Sequence, residues 1–425
     1  MGWLALFPLC AQAQATTLYQ TVQQALAFSP ELQAVTHNLE AAQYDLKRTR
    51  GRYLPSLDLN LGYGLEQYSD QGTRQPSANP SDSDWDPKQE ATLILRQNIY
   101  DGGETSNLVS MAKERLNSAN FLIQDTAQAI ALIAINAHLN VYRLRELVAL
   151  AEKDYEFHHE ILRSLSEMEK AGAGDVAAVT QTQARMARTL ATLSSSKANL
   201  DKNIANYVRV VGMQPGPLTY TEGPVVMPYT LEEALIRAAF NNPELMVLDA
   251  RISESEARVK FERSANWPKF NVELSSRYFD QLEGDTSWQM TNQAMLVLRW
   301  NLYNGGQDKA AEREALSRTA ETRATRDGRL LELQEAIATA WSSYFSLQHQ
   351  KEAYQAAVDY GQRTLEAYLM QFSVSKRSLL DVLDAEKEYF LSASQLVNVL
   401  TDKAIAAYQI LALVGDLNLS ILSEE

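Results

Sequence analysis

Asp381 and Asp384 stand three apart in Gln371-Phe-Ser-Val-Ser-Lys-Arg-Ser-Leu-Leu-Asp-Val-Leu-Asp-Ala-Glu-Lys-Glu-Tyr389, which puts both carboxylates on one helical face. Two acids so placed have two readings. The spacing alone favours a solvated helix face; where several copies of the chain converge, the same pair makes a ring of negative charge that selects cations. Covalent chemistry finds no foothold. The sequence has no P-loop, no Gly-x-Ser-x-Gly elbow and no His-Glu-x-x-His pair. Its five histidines are dispersed, and the adjacent His158 and His159 point apart on a helix. No catalytic, cofactor or metal site is expected, and the chain reads as a non-enzyme.

The composition bounds the partners. With 425 residues, a formal net charge of −14, 45% hydrophobic and 22% charged residues, the chain is ordered and acidic, which argues against nucleic acid. The only cysteine, Cys10, lies in residues 1–15, an apolar run ending in small residues that reads as the remnant of a secretory signal cleaved after Ala13 or Ala15. A lipid anchor on Cys10 is the rival reading, but Phe7-Pro8-Leu9 fits such a signal poorly. Once the leader is removed, neither a disulfide nor a thiolate metal site can form. The longest later charge-free run, Thr126 to Tyr142, falls short of the about 20 apolar residues that span a bilayer as a helix. Entry into a membrane must therefore use strands.

The elements that position the acids come twice. A shift of 213 residues lays Pro30-Glu31-Leu32 on Pro243-Glu244-Leu245 and Tyr53-Leu54-Pro55 on Asn266-Trp267-Pro268. From Tyr100-Asp101-Gly102-Gly103 onward the shift is 203, matching Tyr303-Asn304-Gly305-Gly306 and later pairing Val211-Gly212 with Val414-Gly415. This predicts a first repeat over 16–212, a Pro-rich linker over 213–230 at mid-height, a second repeat over 231–415, and a tail over 416–425. Each repeat should run helix, strand, loop, strand, long helix, shorter return helix.

Strands are expected at about 56–66 and 90–100, then 269–279 and 292–303. Leu57, Leu59, Leu61 and Tyr63 alternate with polar or small residues, as do Leu296, Leu298, Trp300 and Leu302 with Val297, Arg299 and Asn301. One apolar face on strands of about ten residues is the pattern of a transmembrane β-barrel. A half-buried soluble hairpin shares that pattern, but aromatic residues at the ends (Tyr53, Tyr100, Trp267, Trp300, Tyr303) favour the membrane interface. Four strands cannot close a barrel, and an open edge in lipid leaves unpaired amides. Identical chains must pool their strands. The Pro-rich loop from Glu66 to Lys88 suits the outer surface, and glycine pairs 102/103 and 305/306 permit the positive φ of a sharp strand-to-helix turn.

Proline-free helical patterns then run over 104–170 and 307–371, each roughly 100 Å long. In the first, Ala127, Ile130, Ala134, Ala137, Val141, Leu144, Val148, Ala151 and Tyr155 step alternately by 3 and 4, a coiled-coil seam that Leu330, Leu333, Ile337, Ala340, Tyr344, Leu347, Tyr354 and Val358 repeat in the second, with Lys351 as the exception. Return helices are expected at 175–212 and 378–415, with single opening helices at 18–52 and 231–266.

With its leader, paired Pro-Glu-Leu segments, Tyr53-Leu54-Pro55, Tyr-Asp/Asn-Gly-Gly junctions and the run from Gln371 to Tyr389, the sequence resembles the TolC-type outer-membrane channels over nearly its whole mature length. The resemblance implies a mainly α fold: a homotrimer whose 12-stranded barrel sits in outer-membrane lipid and continues as an α-helical barrel across the periplasm. Its implied partners are a periplasmic adaptor and an inner-membrane transporter. The Gln-Phe…Arg-Ser-Leu-Leu-Asp-Val-Leu-Asp pattern and Trp300 to Gly306 are most similar to the type I secretion branch, which pairs with an ABC transporter. The alternatives are the outer component of a multidrug efflux pump, served by a proton-driven pump of the RND class, and a soluble periplasmic scaffold.

By this resemblance Asp381 and Asp384 are aperture residues, and Phe372 and Arg377 form closing links. The family's acidic partner in the first repeat would fall on Ala178, so Asp175 is expected to replace it as the partner of Arg377. Gly172, Gly174, Ser373 and Ser375 belong to the turns an adaptor would grip.

Overall fold

The computed structural model describes residues 15–67, 85–171, 175–224, 226–280, 287–374 and 376–417. The leader, most of the Pro-rich loop, Gly172, Gly174, Ser375 and most of the tail lie outside them. Along the chain run α1 (Leu18–Phe28), α2 (Pro30–Arg50), β1 (Ser56–Gln67), β2 (Trp85–Tyr100), α3 (Glu104–Lys170) and α4 (Val176–Val211). The order then recurs as α5 (Leu231–Asn241), α6 (Pro243–Arg263), β3 (Lys269–Asp280), β4 (Trp288–Arg299), α7 (Gln307–Ser373) and α8 (Leu379–Val414).

Each opening helix, expected to be continuous, is two. Pro30 and Pro243 lack an N–H and push the residue before them out of helical geometry, so Ser29 and Asn242 have ψ of 116° and 119°. Those two residues then cap the next helix: the backbone N–H groups of Leu32 and Leu245 donate to Ser29 Oγ and Asn242 Oδ1, both at 3.2 Å.

Two compact units divide the chain. One comprises 37–120 and 247–327 and contains the sheet, β1-β2-β3-β4, antiparallel throughout. Registers set Leu57 beside Leu95 and Leu95 beside Leu274, while Arg96 lies beside Glu273 and reaches Asp58 at 3.3 Å and Glu273 at 3.5 Å. One face is thus apolar and the other charged. The apolar side chains of β1 stand in the open, Leu57 64% and Leu61 74% exposed, which is costly in water and suited to lipid. β1 and β4 each have one outer edge without a strand beside it in this four-stranded order.

Three details depart from expectation. β2 begins at Trp85, paired with Gln67, so the loop is shorter than Glu66 to Lys88. Ile99, whose spacing from Leu93 and Leu95 predicts a place on their apolar face, is the extra residue of an irregularity between Asn98 and Tyr100 and leaves the alternation. β4 stops at Arg299 because its partner strand starts at Lys269, just after Pro268, which has no N–H to extend the ladder; Trp300 to Tyr303 follow outside it.

The other unit holds 1–36, 121–246 and 328–425. Its core gathers Leu18, Val22 and Ala25 of α1, Ile130 to Val141 of α3, Tyr207, Val210 and Val211 of α4, and Ala404, Tyr408 and Leu411 of α8. Stretches of α3 and α8 are apolar enough, at mean hydropathy 1.2 and 1.3, to resemble membrane spans; 56% of the α8 stretch is buried in the core, against 33% of that in α3. The coiled-coil seam holds, with every position named from Ala127 to Tyr155 and from Leu330 to Val358 buried or half-buried. Lys351, its exception, pairs with Glu222 at 3.4 Å.

In that core His138 is fully buried, its Nδ1 2.8 Å from Thr21 Oγ1 and its Nε2 2.9 Å from the Thr219 carbonyl. The carbonyl can only accept, so Nε2 carries the proton and Nδ1 accepts from the threonine. Burial holds the imidazole's pKa below its ordinary value. A histidine depressed in the folded state protonates first in the unfolded chain. Its contribution is therefore full above about pH 6.5 and is lost as pH falls from there through the folded value. Between pH 7.5 and 5.5 this histidine's share lowers the melting temperature of the purified protein, and His138→Gln should lose less, or gain more, than the wild type as pH falls; identical pH dependence would acquit this histidine.

Candidate functional site

Of the residues singled out by sequence, Phe372, Ser373, Arg377, Asp381 and Asp384 lie at the turn from α7 to α8. α7 ends at Ser373, whose Oγ donates to the Met370 carbonyl at 2.8 Å. Ser378 caps α8: the Asp381 N–H donates to Ser378 Oγ at 3.2 Å, and the hydroxyl donates to Asp381 Oδ2 at 2.8 Å. Asp381 is therefore held in the first turn, where the helix's positive end favours a carboxylate. One turn on, Asp384 is exposed and accepts from Arg185 of α4 at 2.9 Å. The two acids share a helix but not a partner.

Arg377 rests its guanidinium 4.0 Å over the ring of Tyr368 and reaches Asp381 at 3.8 Å. Phe372, half-buried, lies one turn past Tyr368. The aromatic support of Arg377 thus comes from a residue that sequence reasoning passed over, although it stands one helical turn from the one it chose. Asp175 does something else. Its carboxylate accepts from the Ala177 N–H at 2.9 Å and caps α4. Among the described residues of one chain, the acid beside Arg377 is Asp381, and the expected pair between Arg377 and Asp175 is not made. Of the tip residues only Ser373 is described. Arg185 carried no signal at all, since it is linked to Asp384 only by the fold.

At the strand-to-helix junctions, Gly102 and Gly103 take φ of 68° and 88°, and Gly305 and Gly306 take 73° and 83°. Asp101 accepts from the backbone N–H groups of Gly103 and Thr105 at 3.1 and 2.9 Å. Burial pushes its pKa up, but those bonds and the Asn98 amide outweigh it and hold the carboxyl below the ordinary range.

Above the turn, a cavity of about 420 Å³ is lined by Asp154, His158, Arg185, Asp384, Lys387 and Phe390, among others. Asp154 and His158 of α3 and Glu386 of α8 are all buried, at 6%, 4% and 6% exposure. His158 Nδ1 lies 2.9 Å from the Asp154 carbonyl oxygen and 3.1 Å from Oδ1. Desolvation, and then the charge of Asp154, push the Glu386 carboxyl upward. His158 loses basicity to burial but gains more from Asp154, ending raised. The sequence did hold a trace of this cluster: His158 sits one heptad after Ala151, a buried seam residue, and one before the buried Leu165. Glu386 lies far along the chain and could not be joined to it.

The chain as a whole has relatives among known proteins. A model of the outer membrane efflux protein family matches residues 21–212 and again 235–416. The outer membrane efflux protein BepC of Brucella suis biovar 1 is 25% identical over 76% of this chain and 71% of its own. The outer membrane protein TolC of Escherichia coli K12 is 22% identical over 98% and 85%. The proteases secretion protein PrtF of Dickeya chrysanthemi is 21% identical over 91% and 85%. In fold, a crystal structure of CusC superposes with a TM-score of 0.81 at 15% identity, covering 94% of this chain and 92% of that one. That of VceC from Vibrio cholerae gives 0.78 at 18%, covering 94% and 96%. A match that takes in both halves of the chain, over elements repeated in the same order, shows that the chain belongs to the outer membrane efflux protein family, trimeric and non-enzymatic channels of the outer membrane with a large periplasmic helical portion.

Proposed function

We propose that this channel is the exit duct of a type I protein secretion system, passively conducting substrate from an inner-membrane ABC transporter and its periplasmic adaptor to the cell exterior. The observation that carries the reading is likeness to a secretion protein over nearly the whole chain, alongside the run from Gln371 to Tyr389. Asp381 and Asp384 of three chains form the constriction, with Phe372 and with Arg377, which rests on Tyr368, holding it closed. The turns containing Gly172, Gly174, Ser373 and Ser375 meet the adaptor. Asp175 is assigned to the closing link only between neighbouring copies, because within one chain it serves its own helix.

Likeness to BepC, an efflux protein by name, favours a second reading as the outer component of a multidrug pump. Membership of the family removes the soluble scaffold as an alternative. Deletion separates the two that stay. Loss of a large protein from the culture medium with unchanged drug susceptibility is the expected result, and drug hypersensitivity with an intact secretome would overturn it.

A further inference from the structure

Glu386 is buried to 6% exposure, and its Oε2 has no hydrogen-bond partner among the described residues. A buried carboxyl facing a second one must either keep its proton or find a positive charge. The cationic side chains nearby do not relieve it. Arg185 is engaged with Asp384 at 2.9 Å, and Lys387 borders the cavity on the exposed side of α8. Among the described residues, Asp154 pairs with no lysine or arginine.

The geometry supplies another counter-charge. Asp154 and His158 are four apart and so share one face of α3, while Glu386 meets them from α8. One ligand atom from each, two carboxylate oxygens and an imidazole nitrogen, lie within 4.8 Å of one another. Helix bundles build metal centres in this way, with a spaced pair on one helix and a carboxylate from its neighbour. Two carboxylates and a neutral imidazole balance a charge of +2. One nitrogen with carboxylate oxygens suits a borderline first-row ion such as zinc, and the adjoining cavity gives room for a water as fourth ligand.

We propose that Asp154, His158 and Glu386 bind one divalent transition-metal cation per chain, of the zinc class, joining α3 to α8. Glu386 lies two residues past Asp384, so the cation clasps α8 within a turn of the proposed constriction. The sequence pointed to no metal; the cluster arises only when the two repeats fold together.

The test uses the full trimer in detergent, stripped with a chelator and dialysed against zinc. One zinc per chain by elemental analysis, with a melting temperature raised by zinc, is expected. Glu386→Gln keeps the side chain's shape, and His158→Gln removes a ligand from the other helix; each should weaken zinc binding by at least roughly tenfold and abolish the melting shift. His349→Gln, an exposed site, should change neither. Less than one zinc per wild-type chain would overturn the proposal without recourse to any variant. So would undiminished binding in a folded Glu386→Gln trimer.

Discussion

Replacing Asp381 and Asp384 together by alanine is expected to raise single-channel conductance in planar bilayers and to cut the preference for cations by about tenfold or more. Three chains bring six carboxylates to the axis in the proposed arrangement. At about 5 Å from a passing ion, each contributes roughly 1 to 3 kcal/mol across effective dielectrics of about 80 down to 20. Losing even a fraction of the six shifts the ratio strongly. The two acids should not weigh equally. Asp384 is partly neutralised by Arg185, whereas Asp381 has Arg377 only at 3.8 Å and also receives the Ser378 hydroxyl. Asp381→Asn, which retains the cap and drops the charge, should thus affect selectivity more than Asp384→Asn. Selectivity unaltered in the double variant, with only a lowered melting point, would leave Asp381 as the support of the Ser378 cap and nothing more.

Gly102→Ala is expected to prevent assembly of heat-stable trimers, while Gly305→Ala, at the equivalent junction, should be tolerated with a modest loss. Both glycines have positive φ, 68° and 73°, which costs a side chain about 1 to 2 kcal/mol. They differ in what a methyl group would meet. At Gly102 it would lie 2.5 Å from Trp267 Cβ and 3.0 Å from the Ser264 carbonyl oxygen, atoms anchored to backbone; at Gly305 nothing stands within 4 Å among the described residues. Added strain of this kind reaches about 1 to 3 kcal/mol or more. Trimer bands on unheated gels, read against temperature, measure both. Equal behaviour of the two variants would mean the junction near Trp267 yields more readily than its geometry suggests.

Much of this was legible in advance, for a physical reason. Alternation along Leu57 to Leu65, the glycine pairs and the seam from Ala127 to Tyr155 are local or periodic signals, and a repeated chain states them twice. Misreadings came where periodicity runs straight through a backbone constraint. The apolar rhythm continues across Pro30 and Pro243, yet the missing N–H splits the helix there. Pro268 likewise ended a strand on its neighbour, shortening β4 by way of β3. At the proposed constriction, residue types were readable and partnerships within the chain were not. Within one chain Asp175 meets the nearest free N–H, that of Ala177, as a carboxylate just ahead of a helix does, so its expected link to Arg377 stays an assignment between copies. Arg185 with Asp384, and Glu386 with Asp154 and His158, join residues that only the fold brings together.

The sheet whose two outer edges lack a neighbour has a consequence in heredity. Because each cylinder draws equally on three polypeptides, a cell making sound and defective copies in equal amounts would build only about one in eight cylinders wholly from sound ones. A lesion at the glycine junction that still permits mixing should therefore behave as dominant, poisoning the products of the intact allele. One that stops a chain from joining at all should be recessive.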